Sequence, residues 1–157
     1  MNITIRKATI SDMPSVFNLV KELADYERSG AEVATSAEQY QKDFEANYFD
    51  AIVAEDSDNV NKIVGMALYY FPYSTWKGRY IWLEDFVVEE SYRGKGVGKL
   101  LFDEMIAITK QHKTLLKWQV LDWNEQAIKF YKKYNSSFEH QWITCRLSKD
   151  EIQSVLQ

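Results

Sequence analysis

Apolar residues follow two different rhythms along this chain, and each rhythm marks a kind of element. Ile3 and Ile5 alternate with polar neighbours up to Lys7, a two-residue period that predicts a first strand. Met13, Val16, Phe17, Val20, Leu23 and Ala24 then recur every three or four positions, as on one helix face. Ser11 is the expected cap of that helix, and Pro14 falls in its first turn, where a missing N–H costs no hydrogen bond. The pattern breaks at Ser29-Gly30, and a more polar helix is expected over residues 37–46. Residues 49–55 and 63–71 read as strands around the polar turn 56–61, and 79–88 as the next strand, together an antiparallel meander. Val97, Leu101, Met105 and Ile108 restore the helical period over 96–111. A strand over 116–121 comes next, then a helix that Asn124 can cap, with Ala127, Ile128, Tyr131 and Tyr134 on one face. A last strand is expected over 141–147, with Cys145 as a packing residue, before a short terminal helix. The sum is an α+β sheet in a single domain over residues 1–157, without repeats or linkers.

Composition narrows the function classes. A chain of 157 residues with 46% apolar content has the size and core of one domain. No run reaches the roughly 18 to 20 apolar residues that cross a bilayer, and the N-terminus lacks the layout of a signal peptide. Cys145 is the sole cysteine, so no internal disulfide exists, and a reducing, cytoplasmic setting is expected. The net charge of −4 hides an asymmetry: residues 1–60 carry five Lys/Arg against twelve Asp/Glu, residues 93–133 nine against four. The basic stretch suits a polyanion and the acidic one a cationic partner, unless both are ordinary solvated surfaces. Overall acidity and the lack of a basic aromatic array argue against nucleic acid. His112 and His140 belong to no cluster with metal-ligand spacing, so no metal is expected, and no Gly-x-Ser-x-Gly elbow supports a serine hydrolase.

The most informative local feature is Arg93-Gly94-Lys95-Gly96-Val97-Gly98, entered from the strand and left by the helix. A glycine-rich run by itself is usually a plain turn. Between a strand and a helix, glycines let successive N–H groups converge on phosphate oxygens at the positive helix end. A P-loop would need Lys-Ser/Thr after the last glycine, whereas Gly98 is followed by Lys99 and Leu100. A dinucleotide fingerprint would need an acidic residue about 20 positions on, and 110–121 contains none.

The spelling Arg-x-x-Gly-x-Gly resembles the pyrophosphate loop of the GCN5-related N-acetyltransferases (GNAT). The likeness extends to Ile5-Arg6-Lys7-Ala8-Thr9 with Asp12, to Leu83-Glu84-Asp85-Phe86-Val87-Val88, and to Trp123-Asn124 with Phe130-Tyr131-Lys132-Lys133. Tyr73-Ser74-Thr75-Trp76-Lys77-Gly78-Arg79 and Val120-Leu121-Asp122-Trp123-Asn124 are similar to the diamine acetyltransferases, the thialysine type more than the spermidine/spermine type. This resemblance implies a mixed, mostly antiparallel sheet of six to seven strands flanked by helices, with a V-shaped splay between the fourth and fifth. It implies acetyl-coenzyme A as cofactor, held by residues 93–99 (Arg93, Gly94, Lys95, Gly96, Val97, Gly98, Lys99), by the main chain of Phe86, Val87 and Val88, and by Asn124 and Tyr131. It also implies a small cationic amine as acceptor and a homodimer.

Acetyl transfer from a thioester to an amine needs a neutral nucleophile, a polarised carbonyl and a protonated leaving thiolate. An ordinary ammonium of pKa about 10.4 is neutral in on the order of one molecule in a thousand at neutral pH. Glu84, set in an apolar strand, is the expected proton acceptor through water, with desolvation raising its pKa. From residues alone it could equally be a strand-edge carboxylate paired with Arg79 or a lysine. In a regular strand Asp85 points away from Glu84, so both serve one centre only if a bulge intervenes. By resemblance Tyr131 is the acid for the thiolate; from sequence alone it reads as a core tyrosine, and Asn124 as an N-cap. Tyr26, Glu27 and Trp76, with Glu84 and Asp85, are the positions implied for acceptor binding, Trp76 as an aromatic wall. Ser74 stands where the spermidine/spermine enzyme has aspartate, which favours a shorter amine or thialysine-like amino acid over long polyamines. The alternatives are a GNAT acting on a protein N-terminus or an aminoglycoside, and a non-catalytic acyl-coenzyme A binding module.

Overall fold

The first strand forms as the alternation predicts: β1 (Ile3–Lys7) pairs antiparallel with β2 (Asp50–Asp56), Ile5 facing Ala54. β2 pairs antiparallel with β3 (Lys62–Tyr70) across a tight turn in which Val60 and Asn61 take left-handed φ values of 52° and 56°. Ala51 to Ala54 and Ile63 to Tyr69 are all buried, because these two strands lie inside the sheet with helices on both faces. A two-residue ribbon, β4 (Tyr73–Ser74) with β5 (Gly78–Arg79), leads into β6 (Ile81–Val88), which pairs antiparallel with β3. The last strand, β7 (Leu116–Trp118), runs parallel to β6, giving the central order β1-β2-β3-β6-β7. The mixed, mostly antiparallel sheet is therefore as expected. Its seven strands divide into five in the sheet and two in the ribbon.

α1 (Met13–Tyr26) covers one face, with Met13, Val16 and Leu19 packed on Val53, Met66, Leu68 and Val87. α2 (Ala37–Glu45) joins it there through Tyr40 and Phe44. α3 (Val97–Gln111) covers the other face, and Gly65 is the reason it can sit so close. A Cβ on that residue would lie 3.1 Å from both Leu101 Cδ1 and the Val87 carbonyl oxygen.

The start of α1 departs from expectation. Asp12, not Ser11, is its cap residue, after a short 3-10 turn from Ile10 to Asp12. Asp12 accepts from the Thr9 N–H at 2.7 Å and from both terminal nitrogens of Arg6 at 2.7 and 2.9 Å, while Arg6 also bonds Glu55. A carboxylate can accept from a turn and a guanidinium together, which a hydroxyl cannot match. The Arg6 guanidinium holds the Asp12 carboxyl down at about 2, against the opposing effect of burial.

The structure describes residues 1–155, which fall into two compact units, Met1–Gln119 and the residues from Val120 onward. The second contains α4 (Glu125–Lys132), whose N-terminus is capped by Asn124, and α5 (Lys149–Val155), where Ser148 and Glu151 bond each other's backbone N–H. The strand expected over 141–147 does not form. Trp142, Ile143 and Leu147 are exposed, and so is Cys145, which is not a packing residue. The segment has β-patterning but no ladder partner among the described residues, and strand preference amounts to fit on a pleated, half-buried surface. The strand expected over 116–121 likewise stops at Trp118.

Candidate active site

Between β6 and α3 the chain makes the turn that its glycines predict. Gly94 and Gly96 adopt φ values of 72° and 88°, a region costly for other residues. A Cβ on either would meet nothing within 4 Å, so their outer side is open space. Gly96 caps α3 without any side-chain bond, and the first N–H turned back into the helix is that of Leu100 onto the Gly96 carbonyl at 3.1 Å. The N–H groups of Val97, Gly98 and Lys99 thus project from the positive helix end, the arrangement that binds a diphosphate. This backbone fits coenzyme A.

The cations of the turn point elsewhere. Arg93 donates from Nε to the Val88 carbonyl at 2.9 Å and lays its guanidinium over the Tyr26 ring at 5.2 Å. Lys95 Nζ sits 5.6 Å from the Tyr92 ring centroid, and Lys99 is ion-paired with Asp103. The cradle is made of main chain, and Arg93 acts by tying the end of β6 to the end of α1.

The splay is present as a short ladder. β6 and β7 pair only from Ile81/Leu116 to Leu83/Trp118, so residues 84–88 have no partner strand on that edge among the described residues. Val87 is buried, and the Phe86 ring packs against Phe102 at 5.7 Å, so what these residues offer outward is backbone.

A bulge sits where that edge opens. Tyr69 pairs with Leu83 but Leu68 pairs with Asp85, leaving Glu84 as the extra residue. The insertion resets the alternation. Tyr70 and Trp82 are cross-strand partners, and Asp85 now opposes Leu68, whose side chain belongs to the core beneath α1. Asp85 consequently joins the side that holds Glu27 and Tyr40. Burial, then the charges of Glu84 and Glu27, push its carboxyl up to about 6. Burial also raises Glu27, at the end of α1, and together with Asp85 and Glu84 drives the Tyr40 hydroxyl up to about 12. Glu84 itself is exposed and accepts from the Trp82 indole Nε1 at 2.7 Å; the Tyr70 hydroxyl is raised by burial and by this carboxylate. The desolvation expected at Glu84 falls on Asp85, because the bulge pushes Glu84 outward and carries its neighbour in. Pairing of Glu84 with Arg79 is not seen.

Glu27 and Glu84 both lie near enough for their charges to act on Asp85. Trp76 does not join them: it is 86% exposed at the tip of the β4–β5 ribbon, where the Ser74 hydroxyl accepts from the Trp76 and Lys77 N–H groups. Tyr26 turns its ring to Arg93. The sequence reading missed Tyr40, Tyr70 and Trp82. Trp82 could have been found from its i−2 spacing to Glu84 on one strand face; no local signal marks the other two.

In the second unit, Asn124 Oδ1 accepts from the Ala127 N–H at 3.1 Å, which leaves its NH₂ group as a donor. Tyr131 is 5% exposed, its ring 5.5 Å from that of Phe130, and its carbonyl accepts from Ser136 Oγ. Asn135 has φ 55°, a left-handed conformation that Asn tolerates better than most residues. No group of three or more His, Cys, Asp or Glu that could hold a metal ion occurs among the described residues.

Known proteins share both the pattern and the fold. Residues 15–135 match the acetyltransferase (GNAT) family. The chain is 37% identical over 139 residues to a thialysine N-epsilon-acetyltransferase of Bos taurus, covering 83% of this chain and 81% of that one. It is 33% identical over 159 residues to a human spermidine/spermine N(1)-acetyltransferase-like protein 1, covering 94% of this chain and 23% of that protein. An aminoglycoside acetyltransferase from an uncultured soil metagenomic sample superposes with a TM-score of 0.76 at 20% identity over 93% of this chain and 95% of that one, a likeness of fold alone. The chain belongs to the GNAT family of N-acetyltransferases, in its diamine acetyltransferase subfamily.

Proposed function

We propose that this enzyme transfers an acetyl group from acetyl-coenzyme A to the primary amine of a small cationic acceptor, a thialysine-like amino acid, diamine or polyamine. The observation that carries this reading is the bulge at Glu84. It sets Glu84 beside Asp85 and Glu27 without an ion-pair partner among the described residues, at the strand edge that runs to the glycine turn. Three neighbouring carboxylates, of which burial and the charges of the other two raise Asp85, form an unmet demand for a cation, and an ammonium supplies it.

The bound cofactor supplies an activated acetyl thioester. Asp85 and Glu27 hold the acceptor ammonium, and Glu84, oriented by the Trp82 indole, takes its proton through water so that the neutral nitrogen can attack. A main-chain N–H on the open edge of β6 polarises the thioester carbonyl. As the new C–N bond forms and the C–S bond breaks, the Tyr131 hydroxyl protonates the leaving thiolate. Asn124 steadies the pantetheine arm with its amide donor, while residues 93–99 bind the diphosphate through their N–H groups.

We place the enzyme in the cytoplasm as a homodimer. No helix among the described residues is long and apolar enough to cross a membrane, and the exposed Trp142, Ile143 and Leu147 offer apolar surface for a second copy. A thiol-release assay across diamines, polyamines, thialysine and lysine tests the proposed activity. Turnover with at least one small amine is expected, and cofactor binding without turnover on any of them would leave a binding module instead. Tyr131→Phe should keep cofactor affinity and lose rate; equal activity would make Tyr131 a packing residue.

A further inference from the structure

Tyr40, on α2, stands at the carboxylate cluster with no task in the acetylation assigned above. Its ring is fixed from two sides, 5.2 Å from the Phe17 ring of α1 and 5.6 Å from the Phe49 ring at the entry to β2. Both Tyr40 and Phe49 pack on the cluster that contains Leu68 and Val87. Asp85 lies opposite Leu68 and two residues before Val87, so the register sends its side chain to this same face. The Tyr40 hydroxyl and the Asp85 carboxylate therefore share the face covered by α1 and α2, yet neither makes a hydrogen bond to the other or to any other described residue. Polar groups packed against a core normally find a partner within the protein. Here the space between them is left for a ligand.

A tyrosine hydroxyl accepts a hydrogen bond as well as donating one. Burial, then the charges of Asp85 and Glu84, keep this one protonated up to about 12, so it stands neutral beside the carboxylates. It can accept from an N–H without adding a further negative charge. An ammonium has three N–H donors, and one must face the water on Glu84 through which its proton leaves. Asp85 and the Tyr40 oxygen can take the other two from the sheet face, while Glu27 attracts by charge from the end of α1. We infer that Tyr40 is a specificity-determining residue of the acceptor site, its hydroxyl oxygen accepting from the ammonium and so selecting a primary amine over an N-methylated one. This role depends on the acetylation proposed above. A singly methylated ammonium keeps two N–H donors, enough for Asp85 and the water on Glu84 but not for Tyr40 as well.

The test compares acceptors that differ only by methyl groups on nitrogen, each with acetyl-coenzyme A. The pairs are 1,5-diaminopentane with its N,N′-dimethyl derivative, and thialysine with its side-chain N-methyl derivative, the product being followed at the side-chain nitrogen. Wild type should favour the primary amine in both pairs. Tyr40→Phe keeps the ring that packs on Phe17 and Phe49. It should raise KM for the primary amines about tenfold, the loss of one hydrogen bond to a charged group, and leave the methylated amines within about twofold, so that the preference collapses. Both members of a pair are read on the same variant, so any general loss of fold cancels between them. Calorimetric titration of 1,5-diaminopentane and of thialysine in the presence of coenzyme A should show the same weakening without turnover, with coenzyme A affinity unchanged. Equal effects of Tyr40→Phe on both members of a pair, or a wild type that acetylates primary and methylated amines equally well, would overturn the role of Tyr40 and leave the acetylation intact. Failure to acetylate any of the four amines would overturn both.

Discussion

At the glycine turn the protein presents main-chain N–H groups and withdraws its side chains; at Glu27, Glu84 and Asp85 it does the reverse. Arg93, Lys95 and Lys99 are spent on Val88 and Tyr26, on Tyr92 and on Asp103. The three carboxylates meet no cation among the described residues, only each other, the Trp82 indole and the hydroxyls of Tyr70 and Tyr40. In the function proposed above, a cofactor common to many enzymes would be gripped by geometry that needs only glycine and a helix end. In the same proposal, an acceptor that must be told apart from other amines would be met by charges on side chains that can change one at a time. Arg93 joins the two regions, since the same side chain closes the end of β6 and covers Tyr26, next to Glu27.

Substitutions can break this contrast. The largest effect is expected from Glu84→Gln, which should lower kcat at neutral pH by about 10² to 10³, the usual range for loss of a positioned base. The deficit should shrink at alkaline pH, where the amine is already neutral, and an unaltered pH–rate profile would remove Glu84 as proton acceptor. Gly96→Val should weaken coenzyme A binding by about tenfold or more, since a β-branched residue at φ 88° carries about 1–3 kcal/mol of strain. Calorimetry should find acceptor recognition unaffected, and an equal loss of acceptor affinity would show that the two regions are not independently built.

Asp12→Asn lies outside both regions and calibrates them. It removes a carboxylate held at about 2 by Arg6, so it should cost about 2–3 kcal/mol at neutral pH. In wild type that contribution is complete above the ordinary aspartate value and disappears as pH falls through about 2, so denaturation midpoints of variant and wild type should converge in acid. Asp85→Asn should do the opposite. The Asp85 carboxyl titrates near 6 in the folded chain, so the folded state binds the extra proton between about 4 and 6, and stability falls as pH rises through that window. Removing the charge should stabilise the fold by about 1–2 kcal/mol at neutral pH and not at all in acid, while weakening acceptor binding. A destabilised variant would mean that Asp85 supports structure rather than a ligand. Smallest of all, Trp82→Phe should slow turnover about threefold to tenfold by releasing the Glu84 carboxylate from its indole donor, with coenzyme A affinity unchanged.

The sequence by itself determined the main strands and the helices of the first 119 residues, though not the β4–β5 ribbon, the Asp12 cap or the early end of β7, and it determined the turn with its two left-handed glycines and the cap at Asn124. Each of these follows from a spacing or a residue type acting on its immediate neighbours. Only the tertiary structure decided that Asp85 rather than Glu84 is the desolvated carboxylate, because one extra residue in a strand reverses every side chain beyond it and nothing in the spelling marks where the insertion falls. It also decided that Arg93 serves packing, that Trp76 stands apart at a ribbon tip, and that residues 141–147 remain exposed despite their strand pattern. Local rules read along the chain, but burial and charge pairing are set by elements distant in sequence, here α1, α2 and β6, which meet only once the sheet is assembled.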